Sequence, residues 1–236
     1  MTRRITGEVA YVLHQRPYRE TSALIDLLTL QHGCISVVGR GVRGGGRRQT
    51  RLQPFGRILI GCAGRTALMT LTSIEVVGHR TLDGRALFSA LYLNELVLRL
   101  MKHEDAHPAL FFGYEDALDR LMVDRDVEPV LRRFEKLLLQ ESGYEIDFET
   151  DAESGARIDS TAVYRFDPAV GFRRVQEAVD DRWVYSGATM MAISKDQFDD
   201  PRTRRAAKRL LRRALAPHIG DRPLQTRALF NSRRPA

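Results

Sequence analysis

The sequence predicts an α+β protein: a small closed barrel of five β-strands, followed by an α-helical bundle domain with a small β-containing subregion. Three observations predict it. Residues 5–80 carry short apolar alternations of period two, separated by turn residues. From Asp83 the apolar period switches to 3.6. The charge changes sign at the same place: residues 1–80 hold 12 Arg against 4 acids, a net of +8, while residues 81–199 carry −10 and residues 200–236 return to +9. The overall charge of +7 therefore hides two basic ends around an acidic middle, a distribution that points to contact with a polyanion at the ends.

The strands come first. Val9, Tyr11 and Leu13 alternate, and Leu24, Asp26 and Leu28 face the opposite way to Ala23, Ile25 and Leu27. Ile35–Val38, Ile58–Cys62 and Leu68–Val77 complete the set, with Gly61 to Arg65 read as the turn between the last two. Five strands in about 75 residues with basic connections are the usual build of an OB-fold, which binds single strands along one face. The connection between the third and fourth strands is Gly39-Arg-Gly-Val-Arg-Gly-Gly-Gly-Arg-Arg-Gln-Thr-Arg51, inside a window from Asp26 to Glu75 that has no acid between its ends. Like charges on glycine hinges repel one another and cost entropy to order, so this loop is built for a partner that brings negative charge.

The helices follow. Leu87, Ala90, Leu91, Val97 and Leu98 predict a helix so apolar on several sides that it is central to a bundle. Leu110, Tyr114, Ala117, Leu118 and Leu121 form the stripe of a second. A third opens near Pro129, carries Val130, Leu131, Phe134, Leu137 and Leu138, and stops at Gly143. Residues 144–185 break the pattern: Tyr144, Ile146 and Phe148 alternate, and Tyr164, Phe166, Trp183 and Tyr185 read as short strands. A last helix, 200–216, begins after Asp199-Asp200-Pro201, with Ala207, Leu210, Leu211 and Ala214 on one face and Arg204, Arg205, Lys208, Arg209 and Arg212 on the other. Two domains are expected, 1–80 and 81–236.

Several classes are disfavoured. Glu8 stands where a secretory signal would need its apolar core, and no apolar run approaches the ~18 residues of a membrane span, so a cytoplasmic, nucleoid-associated protein is expected. Cys34 and Cys62 are too few for a disulfide framework or a four-cysteine zinc site and read as core thiols. Gly39-Arg-Gly41-Val-Arg-Gly44 has dinucleotide-site spacing without the helix and acid that must follow, and Gly41–Gly46 has P-loop spacing with Arg47-Arg48 in place of Lys and Ser/Thr. His103-Glu-Asp-Ala-His107 spells H-E-x-x-H, but Pro108 takes His107 out of helical geometry and makes the segment a turn between helices. A zinc hydrolase using His103 and His107 is a remote alternative. No enzyme activity, metal or cofactor is expected.

Several strings, taken together, resemble the bacterial recombination mediator family RecO. They are His14-Gln-Arg-Pro-Tyr-Arg-Glu-Thr-Ser22, Gly39-Arg-Gly-Val-Arg43, Leu52-Gln-Pro-Phe55, Tyr92-Leu-Asn-Glu-Leu96, Leu110-Phe-Phe-Gly-Tyr114, Leu131-Arg-Arg-Phe-Glu135, Gly143-Tyr144 and Arg205-Ala-Ala-Lys-Arg209, in order from residue 5 to about 230. The resemblance implies an N-terminal OB-fold, a helical domain and no active site. It also implies binding of single- and double-stranded DNA, ATP-independent annealing, binding of the acidic tail of single-stranded DNA-binding protein (SSB), and RecA loading together with RecR. Some relatives hold zinc with four cysteines after the Gly-Tyr motif, whereas here Asp151 stands at the first such position and no cysteine follows Cys62.

Expected DNA contacts are Arg16, Arg19, Arg40, Arg43, Arg47, Arg48, Arg51 and Arg65 in the barrel, and Arg205, Lys208, Arg209 and Arg212 in the last helix. For the SSB tail, which is acidic and ends in apolar residues, Arg132, Arg133 and Lys136 with Leu131 and Phe134 are expected to form the receptor. The competing reading for these cations is pairing with Glu128 and Glu135 on their own helix. An RNA- or ribosome-associated OB-fold protein is the alternative of a different binding class.

Overall fold

The computed structural model describes residues 2–42, 52–66, 68–176 and 181–231. The chain divides into two compact units, one of residues 1–125 with 224–236 and one of residues 126–223.

In the first unit, β1 (Arg3–Tyr18), β2 (Ser22–Thr29), β3 (Gly33–Gly39), β4 (Arg57–Gly64) and β5 (Met69–Gly78) close a barrel in the order β1-β2-β3-β5-β4. Closure depends on β1, which is long enough to pair with β4 through Arg3–Tyr11 and with β2 through Ala10–Tyr18. A straight strand cannot serve two neighbours on a tight barrel. The register shifts between Ile5 and Glu8, where Gly7 takes φ of 66°, and again between Val12 and His14, and such bulges supply the bend. The alternating residues Ala10, Val12, Ile25, Leu27, Ile35, Val37, Ile58, Ile60 and Met69 fill the interior. Cys34 and Cys62 are buried thiols, and burial pushes them up to about 12 and about 11. Strand β4 runs on to Gly64, so the following turn begins at Arg65 rather than at Gly61.

Helices α1 (Gly84–Leu100), α2 (Pro108–Val123) and α6 (Thr226–Asn231) belong to this unit. The many-sided apolar character of α1 has a different cause from the one expected. It packs on the barrel: Asn94 Nδ2 donates to Leu13 O at 2.9 Å, and Tyr114 Oη of α2 donates to Asn94 Oδ1 at 2.6 Å. Glu95 accepts from the backbone N–H groups of Gln225 and Thr226 and so caps α6. A second polar set joins α2 to β1, with Tyr11 Oη donating to Glu115 at 2.6 Å and Arg80 bridging Tyr11 Oη and Asp119. The 101–107 connection passes so close to β3 that a Cβ on Gly33 would lie 1.8 Å from Asp105 O.

The second unit holds α3 (Val127–Glu141), the sheet β7-β6-β8 made of β6 (Val163–Asp167), β7 (Gly171–Val175) and β8 (Val184–Ser186), then α4 (Gly187–Ser194) and α5 (Pro201–Leu215). Asp126 caps α3 through Glu128 N, and Gly143 follows its end at φ of 81°. Tyr164, Phe166 and Tyr185 lie in strands as the alternation predicts, whereas Trp183 lies in the turn before β8; Phe172 packs against Phe148, Phe166 and Tyr185. Residues 144–148 are not a strand, and β7 and α4 were not foreseen. Asp200 caps α5 by accepting from Arg202 N and Thr203 N, and Pro201 takes the first helical position.

Candidate nucleic-acid interface

The barrel's strand pairings place the N-terminal arginines, with Arg16 near the end of β1 and Arg4 near its start. Across the sheet, Arg16 pairs with Leu24, Leu24 with Val38, Val38 with Thr70, Thr70 with Ala63, and Ala63 with Arg4. One rung thus circles the barrel and returns to β1 twelve residues earlier in the chain. Arg16 and Arg4 sit on this rung, Arg40 follows the end of β3 just above it, and Arg65 follows the end of β4. Arg19 stands in the β1–β2 turn at φ of 55° with its guanidinium 5.3 Å from the Tyr18 ring centre. All five are exposed, and Glu20 is an acid in the same turn as Arg19. The sequence reading did not name Arg4, which is exposed at the opposite end of β1 from Arg16. Val42 and Leu52, which flank the glycine-arginine loop, are both buried in the barrel core. Arg43, Arg47, Arg48 and Arg51 lie outside the described residues.

The cations of α5 have unequal surroundings. Arg204 pairs with Asp126 at 3.1 Å, and Lys208 pairs with Glu128 at 2.5 Å. Arg209 lies over the Tyr185 ring at 4.9 Å, while Arg205 and Arg212 are exposed. Of the predicted contacts here, Lys208 is thus committed to an internal ion pair and Arg209 to an aromatic face.

Two family models cover this chain: Recombination protein O N terminal matches residues 3–80, and Recombination protein O C terminal matches residues 81–228. The DNA repair protein RecO of Cellvibrio japonicus is 42% identical over 229 residues, 96% of this chain and 97% of that protein. Those of Stutzerimonas stutzeri and Haemophilus influenzae (strain 86-028NP) are 43% and 40% identical, each over 222 residues. The chain belongs to the recombination protein O family. The two RecO family models meet at residue 80, whereas the compact units divide after Arg125, with α1 and α2 on the barrel's side.

The receptor expected for an acidic tail needs correction. Arg132 is 2% exposed, with Nη1 2.9 Å from Glu135 Oε2 and Nη2 3.8 Å from Glu128 Oε2. Glu135 is itself fully buried, and Leu131 and Phe134 face the core. Arg132 therefore neutralises carboxylates of its own helix and cannot stand at the rim of a groove. Lys136 Nζ is held by Ile193 O at 2.9 Å, Ser194 O at 2.7 Å and Asp196 at 2.6 Å, closing the end of α4. Arg133 is half-buried beside the Phe198 ring. The pairing alternative describes Arg132, because α3 buries three flanks instead of one.

The position where some RecO relatives begin a zinc site is also explained. Asp151 is 4% exposed; its Oδ1 accepts from Glu153 N, Ser154 N and Ser154 Oγ, and its Oδ2 accepts from Arg174 N at 2.6 Å. Burial raises this carboxyl, but the donors of Ser154, Arg174 and Glu153 outweigh it and hold the group below the usual carboxylate range. With both oxygens committed to N–H and O–H donors, and with no cysteine nearby, these residues do not fit a metal. One carboxylate pins the 151–157 turn to β7.

His103 and His107 lie where the turn reading placed them, in the segment between α1 and α2, with His107 at the N-cap position of α2 and no hydrogen bond from its side chain to the helix end. His103 Nε2 accepts from Ser36 N at 3.0 Å, which occupies the lone pair a metal would take. No described helix is long and apolar enough to cross a membrane.

Proposed function

We propose that this protein acts in DNA repair as a recombination mediator. In this reading it binds single- and double-stranded DNA, anneals complementary strands without ATP, binds the acidic SSB tail, and with RecR promotes RecA loading, with no catalytic centre of its own. The observation that supports DNA contact is that Arg4, Arg16, Arg19, Arg40 and Arg65 are all exposed on the barrel, at or near the ends of its strands. Exposed guanidinium forks can follow a phosphate backbone of irregular shape, and a basic surface lowers the repulsion between two strands. Annealing needs little more than that, since base pairing itself drives the product.

Each phosphate neutralised on a single strand adds about −0.7 to the slope of log K against log salt. Arg16→Ala, Arg40→Ala and Arg65→Ala together are expected to flatten that slope by about 2, and the Arg43, Arg47, Arg48, Arg51→Ala variant by about 3. Unchanged slopes and affinities in both variants, measured by anisotropy over a salt series, would remove the barrel from the interface. Tighter binding of RNA than of DNA, together with no heat on titrating an acidic SSB-tail peptide, would favour the RNA-associated alternative.

A further inference from the structure

Trp183 is the single tryptophan of the chain, and its setting is unusual for a surface indole. The guanidinium of Arg182 lies 4.7 Å from its ring centre and that of Arg213, from α5, lies 4.9 Å away. Its backbone is fixed on both sides: Trp183 N donates to Asp181 Oδ1 at 2.9 Å, and Phe166 N donates to Trp183 O at 3.0 Å. The neighbouring acid, Asp181, is taken by Arg165 at 3.0 Å. Arg165 stands opposite Arg173 in the β6–β7 register, and next to Val184 in β8. Arg205, Arg209 and Arg213 follow one another at one-turn spacing along α5, and Arg209 covers Tyr185 as Arg213 covers Trp183. The half-buried indole thus sits beside a row of arginines, with Arg182, Arg205 and Arg213 exposed.

We propose that Trp183, with Arg182 and Arg213, is a base-stacking platform for single-stranded nucleic acid on the second unit. The inference rests on the DNA-binding reading above and adds to it a site with its own chemistry. An indole flanked by guanidinium planes offers flat surfaces on which any base stacks, with Arg205, two turns before Arg213 on α5, to meet a phosphate. A peptide of acidic residues alone would use the same cations but has nothing to place on the indole. The site reads no sequence, because every base has a π-face. It therefore suits a protein that must hold any strand.

The single tryptophan makes the test direct. The full chain is titrated with a thymidine oligonucleotide of about 20 nucleotides, following anisotropy of a labelled strand and, separately, Trp183 emission with an unlabelled one. An abasic deoxyribose-phosphate oligomer of equal charge serves as the probe without bases. Emission is expected to quench in step with saturation by the thymidine strand and to hold steady when the abasic oligomer binds. Trp183→Leu is expected to weaken the thymidine strand about fivefold or more, without weakening the abasic one. Arg182→Ala, at an exposed position that leaves the fold intact, is expected to weaken the thymidine strand as well. Saturating anisotropy with unchanged emission, or equal quenching by the abasic oligomer or an acidic peptide, overturns the platform and leaves DNA binding standing. Absence of any anisotropy change overturns the DNA-binding reading itself.

Discussion

Two helices of the second unit carry basic runs of similar appearance, and the fold treats them in opposite ways. In α3, Arg132 is drawn into the interior with Glu135, and Lys136 is tied to the end of α4. In α5 the buried positions Thr203, Ala206, Ala207, Leu210, Leu211 and Ala214 form one clean stripe, and Arg202, Arg205 and Arg212 stay at the surface. Phase makes the difference. A single apolar stripe at i, i+3, i+4 leaves the opposite face to water, whereas α3 also buries Val127, Leu131 and Leu139, so that 132 and 135 fall between buried neighbours. A cation at such a position is kept only by a carboxylate one turn away. Identical residue types therefore become structural in one helix and available for binding in the other.

The sharpest way to break this comparison is to remove one member of the buried pair. Arg132→Met leaves Glu135 as an uncompensated interior charge and is expected to cost about 3–5 kcal/mol in a urea titration, enough to threaten the fold. Arg132→Met with Glu135→Leu is expected to recover most of that loss, since replacing both ions by apolar groups of similar size is often neutral. Equal losses in the single and double variants would mean that Arg132 acts through packing alone.

Asp151→Asn is expected to cost somewhat less, about 1.5–3 kcal/mol, because the neutral amide accepts less strongly and must present an NH₂ to donors. The pH dependence carries a definite sign. The folded carboxyl titrates below its unfolded value near 3.9, so its contribution is present above that pH and is lost as pH falls through the depressed folded value. Glu128 behaves alike: burial raises it, but Lys208 and Arg132 prevail and lower it. Thermal melts of the wild type should therefore lose stability more steeply as pH falls below the unfolded value than those of Asp151→Asn.

The smallest effect on stability belongs to α5. Arg205→Ala with Arg212→Ala is expected to change unfolding free energy by less than about 0.5 kcal/mol, while flattening the single-strand salt slope by about 1.4. Lys208→Met, which removes the partner of Glu128, is expected to cost up to about 1 kcal/mol and to move the slope less than the exposed pair does. A Lys208 variant with the larger loss of slope would reverse the division between paired and exposed cations on this helix.

Much of the fold was legible because it rests on short-range periodicity. The alternations in β2, β3 and β4, the stripe of α5, the Asp200-Pro201 start and the glycine after α3 are local signals whose physics acts within one or two turns. Helix α4 was missed because Gly187–Ser194 is short and its few polar residues, Thr189 and Ser194, leave no stripe to read. β7 was missed because Gly171-Phe-Arg-Arg-Val175 holds a single buried side chain. For the site, Arg16, Arg19, Arg40 and Arg65 could be named as exposed basic residues, but which strand ends they share required the register, which sets Arg65 beside the start of β1 and Arg40 across β2 from its end.

The sequence by itself determined the class of partner and the order of elements, because charge sign, glycine content and apolar period are properties of the chain before it folds. Only the tertiary structure decided which cations remain for that partner. Arg132, Lys136, Lys208 and Arg205 are alike in sequence, yet three are committed to neighbours brought from elsewhere in the second unit or from their own buried helix. The physical reason is that desolvation is paid at a place, not by a residue type: a charge enclosed by the core must find a counterion there, and one left outside keeps its attraction for a phosphate.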